Sequence, residues 1–496
     1  MKTRTLTLAP LALVAASALA EPAAPADSIL QELERITVTA TLNQRATKDV
    51  ANDVSIIDAV QIDRQLAQDI GDLVRYEPGV TVTGNATRFG LGGFRIRGLG
   101  GDRVRIEVDG IPLAQEFGIG SFSNAGRDFV DVDALKQVEI VRGASSSLYG
   151  SDALGGVVSY ITKDPADYLD ATGGTYVAGK LQYSSVNRQT SATATWAGGD
   201  ADSGAMVVAT RREGHASDNQ GEIDSGDNTR TRPNPQDTRS DAVLAKFVRT
   251  ADSGRVDRIT LDGEKAGIDT DALSAVTTVL NGPRTTSLQG DDERKRTRIA
   301  LGQDIPFNSR LLDSLEWKAY LQDSDTVQET VEARSTATAG VLGNPVQRHR
   351  RFDYEQRVGG GELTARKSLS LGGAEHAFTY GLDLSTTRTG EMRDGYQLNL
   401  TTGVSTPNVP PDAFPVRDFP ITETTNAAVF AQDEMTLADG RLSLIPSVRF
   451  DYYKLDPRND SIFADDNPGI EPQGLSHTHW SPRFGAIWRF NKTLSA

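Results

Sequence analysis

From Gly173 onward the chain repeats segments of roughly ten residues in which apolar and polar side chains alternate, which restricts it to strands with two unlike faces. Leu315, Trp317, Ala319 and Leu321 interleave with Glu316, Lys318, Tyr320 and Gln322. Phe378, Tyr380, Leu382 and Leu384 interleave with Ala377, Thr379, Gly381 and Asp383. Leu442, Leu444, Val448 and Phe450 oppose Ser443, Ser447, Arg449 and Asp451. Near the end, Trp480, Pro482, Phe484, Ala486, Trp488 and Phe490 share one face, against Ser481, Arg483 and Arg489.

A soluble sandwich also alternates, so the connections must decide. Short joins at Gly199–Gly204, Ala251–Val256, Pro306–Ser314, Gly372–Glu375 and Ala438–Gly440 take turns with long ones. The long joins are His215–Arg239, Gly267–Lys295, Val327–Arg350, Gly390–Glu423 and Asp456–Thr478. The one slip is the short first outer join near Val186–Arg188. Loop lengths sorted by parity are expected of an outer-membrane barrel, with short periplasmic turns and long extracellular loops, and a sandwich has no reason for them. The expectation is a transmembrane antiparallel β-barrel over residues 173–496. About twelve strands are present of the roughly 22 that a plug-filled barrel uses, so the barrel is expected to be incomplete.

The start of the chain reads differently. Lys2 and Arg4, the apolar stretch Leu6 to Leu19, and Ala18-Leu19-Ala20 before Glu21-Pro22 describe a secretory signal peptide over residues 1–20. A Pro/Ala-rich flexible arm follows over 21–33. Residues 34–165 then read as an α/β unit. Val54–Ile57 is a short apolar run, and Ala59–Val74 places Ile62, Leu66, Ile70 and Leu73 at helical spacing before Pro78-Gly79 breaks it. Strands are expected at Phe94–Arg97, Val104–Val108, Gln137–Arg142 and Val157–Thr162.

Several function classes fall away. A net charge of −15 argues against a nucleic-acid binder. No cysteine is present for a disulfide, thiolate site or nucleophile. The glycine clusters Gly90–Gly93 and Gly98–Gly101 lack the third glycine of a dinucleotide site, and Gly143–Gly150 lacks the Lys-Ser/Thr of a phosphate loop. No catalytic triad, paired-carboxylate site or zinc motif is read, so the chain is expected to be a transporter and not an enzyme, with no metal site and no cofactor of its own.

Three motifs carry a family resemblance. Phe94-Arg95-Ile96-Arg97-Gly98-Leu99 followed by Arg103 to Gly110, and Val138-Glu139-Ile140-Val141-Arg142-Gly143 continuing to Val158, resemble the plug motifs of TonB-dependent outer-membrane receptors. Upstream, Glu34-Arg35-Ile36-Thr37-Val38-Thr39-Ala40 looks like a TonB box, an alternating segment able to add as a strand to a partner's sheet edge. The resemblance implies a plug domain over 41–168 held by the barrel, TonB as periplasmic partner, and residence in outer-membrane lipid. It also implies that Arg97 and Arg142 lock the plug to carboxylates on the barrel wall.

The longer plug wording, Gly101–Ile111, Arg127-Asp128-Phe129-Val130-Asp131 and Ser151–Val158, is similar to the haem and haemoglobin/transferrin/lactoferrin receptor group. That implies haem, or iron from a haemoglobin-type host protein, as cargo. The plug contains no histidine, which leaves His477 and His479, closing the sixth outer loop, as the clustered imidazoles and candidate ligands. Tyr76 and Tyr149 are weighed as ferric-iron ligands against plug packing, and His215, His349 and His376 read as loop or rim residues. A ferric-siderophore or cobalamin receptor is the rival cargo reading, and a passive porin, which needs neither plug nor box, the rival class.

Overall fold

The computed structural model describes residues 36–37, 39, 42–43, 45–46, 50–438 and 440–490. The expected signal peptide, the arm, and Glu34, Arg35, Val38 and Ala40 lie outside them. Two short strands, β1 (Ile36–Thr37) and β2 (Arg45–Ala46), pair antiparallel. Next come β3 (Asp53–Asp58), β4 (Val80–Asn85), β5 (Gly90–Ile96), β6 (Val104–Val108), β7 (Ile111–Pro112), β8 (Phe117–Ile119), β9 (Ser123–Ala125), β10 (Leu135–Arg142) and β11 (Gly156–Thr162). A five-stranded mixed sheet of order β3-β10-β11-β6-β7 forms the centre of the plug, with β11 and β6 parallel.

The plug core explains its apolar runs. Ile57, Leu73, Val104, Val138, Ile140 and Val158 are all fully buried in one cluster with Phe94 and Tyr160. The spacing across Ala59–Val74 predicts one helix, but there are two, Ala59–Gln65 and Ile70–Leu73. Leu66 ends the first in a left-handed conformation at φ +52°, and the Asp69 side chain caps the second by accepting from the Asp72 N–H. Leu66, expected on the buried face, is therefore 64% exposed.

Among the plug glycines, Gly156 marks the closest backbone approach. Its φ is +143°, and a Cβ there would lie 2.2 Å from the Val141 carbonyl oxygen. Gly156→Ala should cost more than the roughly 1–3 kcal/mol of ordinary overpacking, because the obstruction is backbone. The check is hydrogen exchange across Val157–Tyr160, which should quicken; unchanged protection would mean the sheet parts without loss.

The second region is a 13-stranded antiparallel sheet in which twelve strands follow one another and one short strand pairs alongside. Its strands are β12 (Gly173–Ser184), β13 (Gln189–Asp200), β14 (Ser203–His215), β15 (Gln236–Thr250), β16 (Val256–Asp271), β17 (Gly282–Pro306), β18 (Ser314–Thr338), β19 (Val341–Leu371) and β20 (Ala374–Asn399). Three two-residue strands, β21 (Ser405–Thr406), β22 (Asn408–Val409) and β23 (Asp412–Ala413), occupy an outer loop, and β24 (Ile421–Leu437), β25 (Leu442–Arg458) and β26 (Leu475–Trp488) complete the path.

The faces follow the alternation. Leu261, Ile299 and Leu321 stand side by side on adjacent strands and are exposed, as are Leu382, Leu384, Trp480, Phe484 and Trp488. This is the lipid-facing band of a membrane barrel. Further toward the outer end the same face carries Asp241, Lys265, Lys295 and Asp325, directly opposed, so the sheet extends past the lipid.

One expected loop is missing. Val327–Arg350 is a continuous hairpin, because β18 runs to Thr338, β19 starts at Val341, and Ala339-Gly340 turns between them at φ +50° and +82°. Beyond the lipid each face mixes polar and apolar side chains, as Val327, Glu329 and Val331 do on the outward one, so hydrophobic alternation fades while strand pairing persists.

Candidate functional site: box dock, plug lock and outer face

Thr37 and Thr39, from the segment expected to be the box, meet one buried carboxylate. Glu139, fully buried in β10, accepts from the Thr37 hydroxyl and, at 2.9 Å, from the Thr39 N–H. Tyr149 donates its hydroxyl to the Thr39 carbonyl at 2.7 Å, which gives this buried tyrosine a docking contact. Burial, with Glu107 and Glu139 nearby, pushes the Tyr149 phenol well up, so it stays a donor at physiological pH. Tyr76 is 70% exposed. Just downstream the chain crosses to the barrel wall. The Leu42 carbonyl accepts from Arg366 at 2.8 Å, Asn43 donates to Thr379 at 2.6 Å, and Arg45 pairs with Glu434 at 2.8 Å.

Arg97 and Arg142 do not reach the wall. Arg97 pairs with Asp53, and Arg142 meets Glu77 at 2.7 Å, Asp53 at 3.3 Å and the Ser55 hydroxyl at 2.8 Å, all within the plug. The cause is register: Asp53 lies directly across from Arg142 where β3 pairs with β10. The expectation of a barrel-wall partner is corrected on this point.

The plug–barrel lock has the opposite polarity, with plug carboxylates against barrel cations. Asp109 meets Arg298 at 3.2 Å, Asp128 meets Arg294 at 2.9 Å, Asp131 meets Arg212 at 2.8 Å, and Asp133 meets Lys180 at 2.8 Å. Lys246 holds Asp164 at 3.0 Å. Among the described residues two pairs run the other way, Arg88 to Asp292 at 2.6 Å and the Arg45–Glu434 pair above. Burial alone would raise the Asp109 carboxyl, but Lys246, Arg298 and hydrogen bonds from Thr162 hold it at about 2. Burial acts likewise on Asp133 and is outweighed by Arg212 and Lys180, so its carboxyl is lowered. On Asp128 burial wins over Arg294, and its carboxyl is raised. The signal was in the sequence: Arg294, Arg296 and Arg298 share one face of β17, and Asp128 and Asp131 stand in the quoted plug wording.

At the outer end the plug hairpin β8–β9 meets rings on the wall. Phe117 stacks on Tyr354 with ring centroids 5.5 Å apart and on Phe352 at 6.2 Å, while Phe419 meets it edge-on at 5.2 Å. His477 and His479 are exposed on β26. They share the face that carries Arg483, which donates to Asn52 of the plug at 2.6 Å, so both imidazoles lie on the plug side of the sheet. His215 pairs with Asp237 and His376 with Asp433, each at 2.8 Å, and His349 stacks on Tyr396. His376 sits near the start of β20, beside a short turn and away from the outer rim.

A mixed plug sheet, a docked N-terminal strand and an antiparallel wall with a lipid-facing band define the class of plugged membrane β-barrels. Comparison with known proteins agrees. Residues 46–157 match the TonB-dependent receptor plug domain, and residues 239–496 match the TonB-dependent receptor-like β-barrel. The chain belongs to the TonB-dependent receptor family.

Among curated relatives, a hemoglobin-haptoglobin-binding protein A of Haemophilus influenzae is 35% identical over 234 residues, covering 44% of this chain and 22% of the relative. A probable hemoglobin and hemoglobin-haptoglobin-binding protein 1 of the same species is 27% identical over 343 residues, covering 65% and 32%. The matched stretch thus spans about a fifth to a third of those relatives' length. The Serratia marcescens hemophore receptor, solved with its hemophore and heme, shares the fold with TM-score 0.54 and 18% identity over 88% of this chain and 60% of that one. An unliganded ferric citrate transporter does so with TM-score 0.60 and 16% identity over 90% and 61%.

Proposed function

We propose that the chain belongs to an active uptake receptor of the outer membrane, exported through residues 1–20 and driven by TonB, with haem or iron from haemoglobin-type host proteins as cargo. The observation that carries this reading is the box segment. Thr37 and Thr39 are fastened to Glu139 of a plug that is itself ion-paired to the wall, so a pull on residues 34–40 bears directly on the plug. Dependence on TonB follows, since a strand-like box can be drawn into a partner's sheet edge. The haem assignment is supported by the hemoglobin-binding relatives and by the plug wording.

His477 and His479 are the imidazoles we assign for testing as iron ligands. Haemin titrated into the purified protein in detergent micelles should give a saturable Soret shift, weakened in the His477→Ala/His479→Ala double variant. No shift, with a ferric siderophore binding instead, would replace the cargo while keeping the plug-and-barrel receptor. A shift equal in the double variant would remove these histidines from the site.

A further inference from the structure

The outer end of the lumenal wall carries a charge imbalance. Glu332 of β18, almost fully buried, accepts from Arg350 at 2.9 Å and from the Thr285 hydroxyl at 2.8 Å, and lies 3.5 Å from Arg334. Arg348 stands directly across from Glu332 on β19, yet its Nε donates to the neutral Gln397 side chain at 2.8 Å. Three guanidiniums thus crowd one carboxylate among the described residues. Burial, with Arg334 and Arg350 beside it, holds the Arg348 guanidinium below its usual range. The cluster sits beyond the lipid band.

The direction in which these side chains point is fixed by their neighbour. The Arg350 guanidinium lies 4.4 Å over the Phe122 ring at the tip of the plug hairpin β8–β9, so this face looks into the lumen. Phe352, two residues on, belongs to the ring cluster around Phe117. A crowded set of planar, forked cations above a floor of rings is short of negative charge, and carboxylates engaged two bonds at a time would supply it.

We propose that Arg334, Arg348 and Arg350 form an anion subsite that takes the carboxylates of an iron complex above the plug tip. This rests on the uptake reading given above. Haem propionates and the carboxylates of a ferric siderophore share the required chemistry.

Arg348→Gln is the first variant, because it leaves both Glu332 pairs in place and so tests the subsite without stranding a buried charge. Three probes are titrated into wild type and variant in detergent micelles: haemin, haemin dimethyl ester and ferric citrate. The expected result is haemin binding at least tenfold weaker in the variant, with binding of the dimethyl ester unchanged. Equal weakening of haemin and its ester, or no weakening of either, overturns the subsite. If wild type ignores haemin yet binds ferric citrate, and the variant weakens that, the subsite stands and the haem cargo falls. Failure of wild type to bind either carboxylate probe also overturns it. A triple variant, Glu332→Gln/Arg334→Gln/Arg348→Gln, with unchanged circular dichroism, should deepen the loss.

Discussion

Arg298→Met should free β6 of the plug sheet from the barrel wall at a cost of about 3–5 kcal/mol, the usual penalty for stranding one half of a buried ion pair. Arg298 is fully buried, donates to the Val108 carbonyl, and bridges Asp109 of the plug to Asp262 of β16 at 3.2 and 2.9 Å. Lys246 pairs with Asp109 at 3.8 Å but donates its hydrogen bonds to the Thr162 carbonyl and Asp164. Hydrogen exchange over Val104–Val108 is the readout. A loss of about 3 kcal/mol of local protection corresponds to exchange faster by about two orders of magnitude. Unchanged exchange would mean that Lys246 and Thr162 carry Asp109 alone.

The same carboxylate sets an acid limit. Asp109 ionises at about 2 in the folded protein against an ordinary 3.8, so its contribution is complete above 3.8 and lost as pH falls through about 2. Protection of Val104–Val108 should therefore decay in that window, and Asp109→Asn should flatten the decay.

Glu139→Ala should undock the box. The carboxylate accepts two hydrogen bonds from Thr37 and Thr39, and bonds to a charged group are worth about 1.5–3 kcal/mol each. Proteolysis near residues 36–46 is expected to quicken at least tenfold, and a TonB periplasmic fragment should bind more tightly without cargo. Glu139→Gln keeps an acceptor and should show a smaller change. Wild-type protection in the alanine variant would place the hold elsewhere, with Tyr149 the first candidate.

Much of this architecture was legible because lipid imposes a strict rule on one face. Leu315, Trp317, Ala319 and Leu321 gave the outward side of β18 directly, and the twelve-strand path matches the count. The rule stops where lipid stops. Val327, Glu329 and Val331 interleave with Gln328, Thr330 and Glu332, which reads as a loop but pairs as a strand. Leu66 misled for a different reason, since helical spacing is blind to a left-handed residue that ends the helix. In the plug motif around residues 138–143 the arginine drew attention, while the buried glutamate in an otherwise apolar strand was the stronger signal. Inward arginines on β17 were visible, but alternation gives a direction and not a partner across more than 160 residues.

The path of residues 42–45 fixes how the plug would yield to force. Leu42, Asn43 and Arg45 attach in turn to β19, β20 and β24, three consecutive neighbours along the wall. Tension entering from the box side and directed away from the wall would load them one after another, as in peeling tape, and not all at once as in shear. The rupture force is then that of the strongest single attachment, while the work done is the sum of all three. A weak but persistent motor is suited to such a joint, and sudden jolts that fall short of one attachment leave it closed.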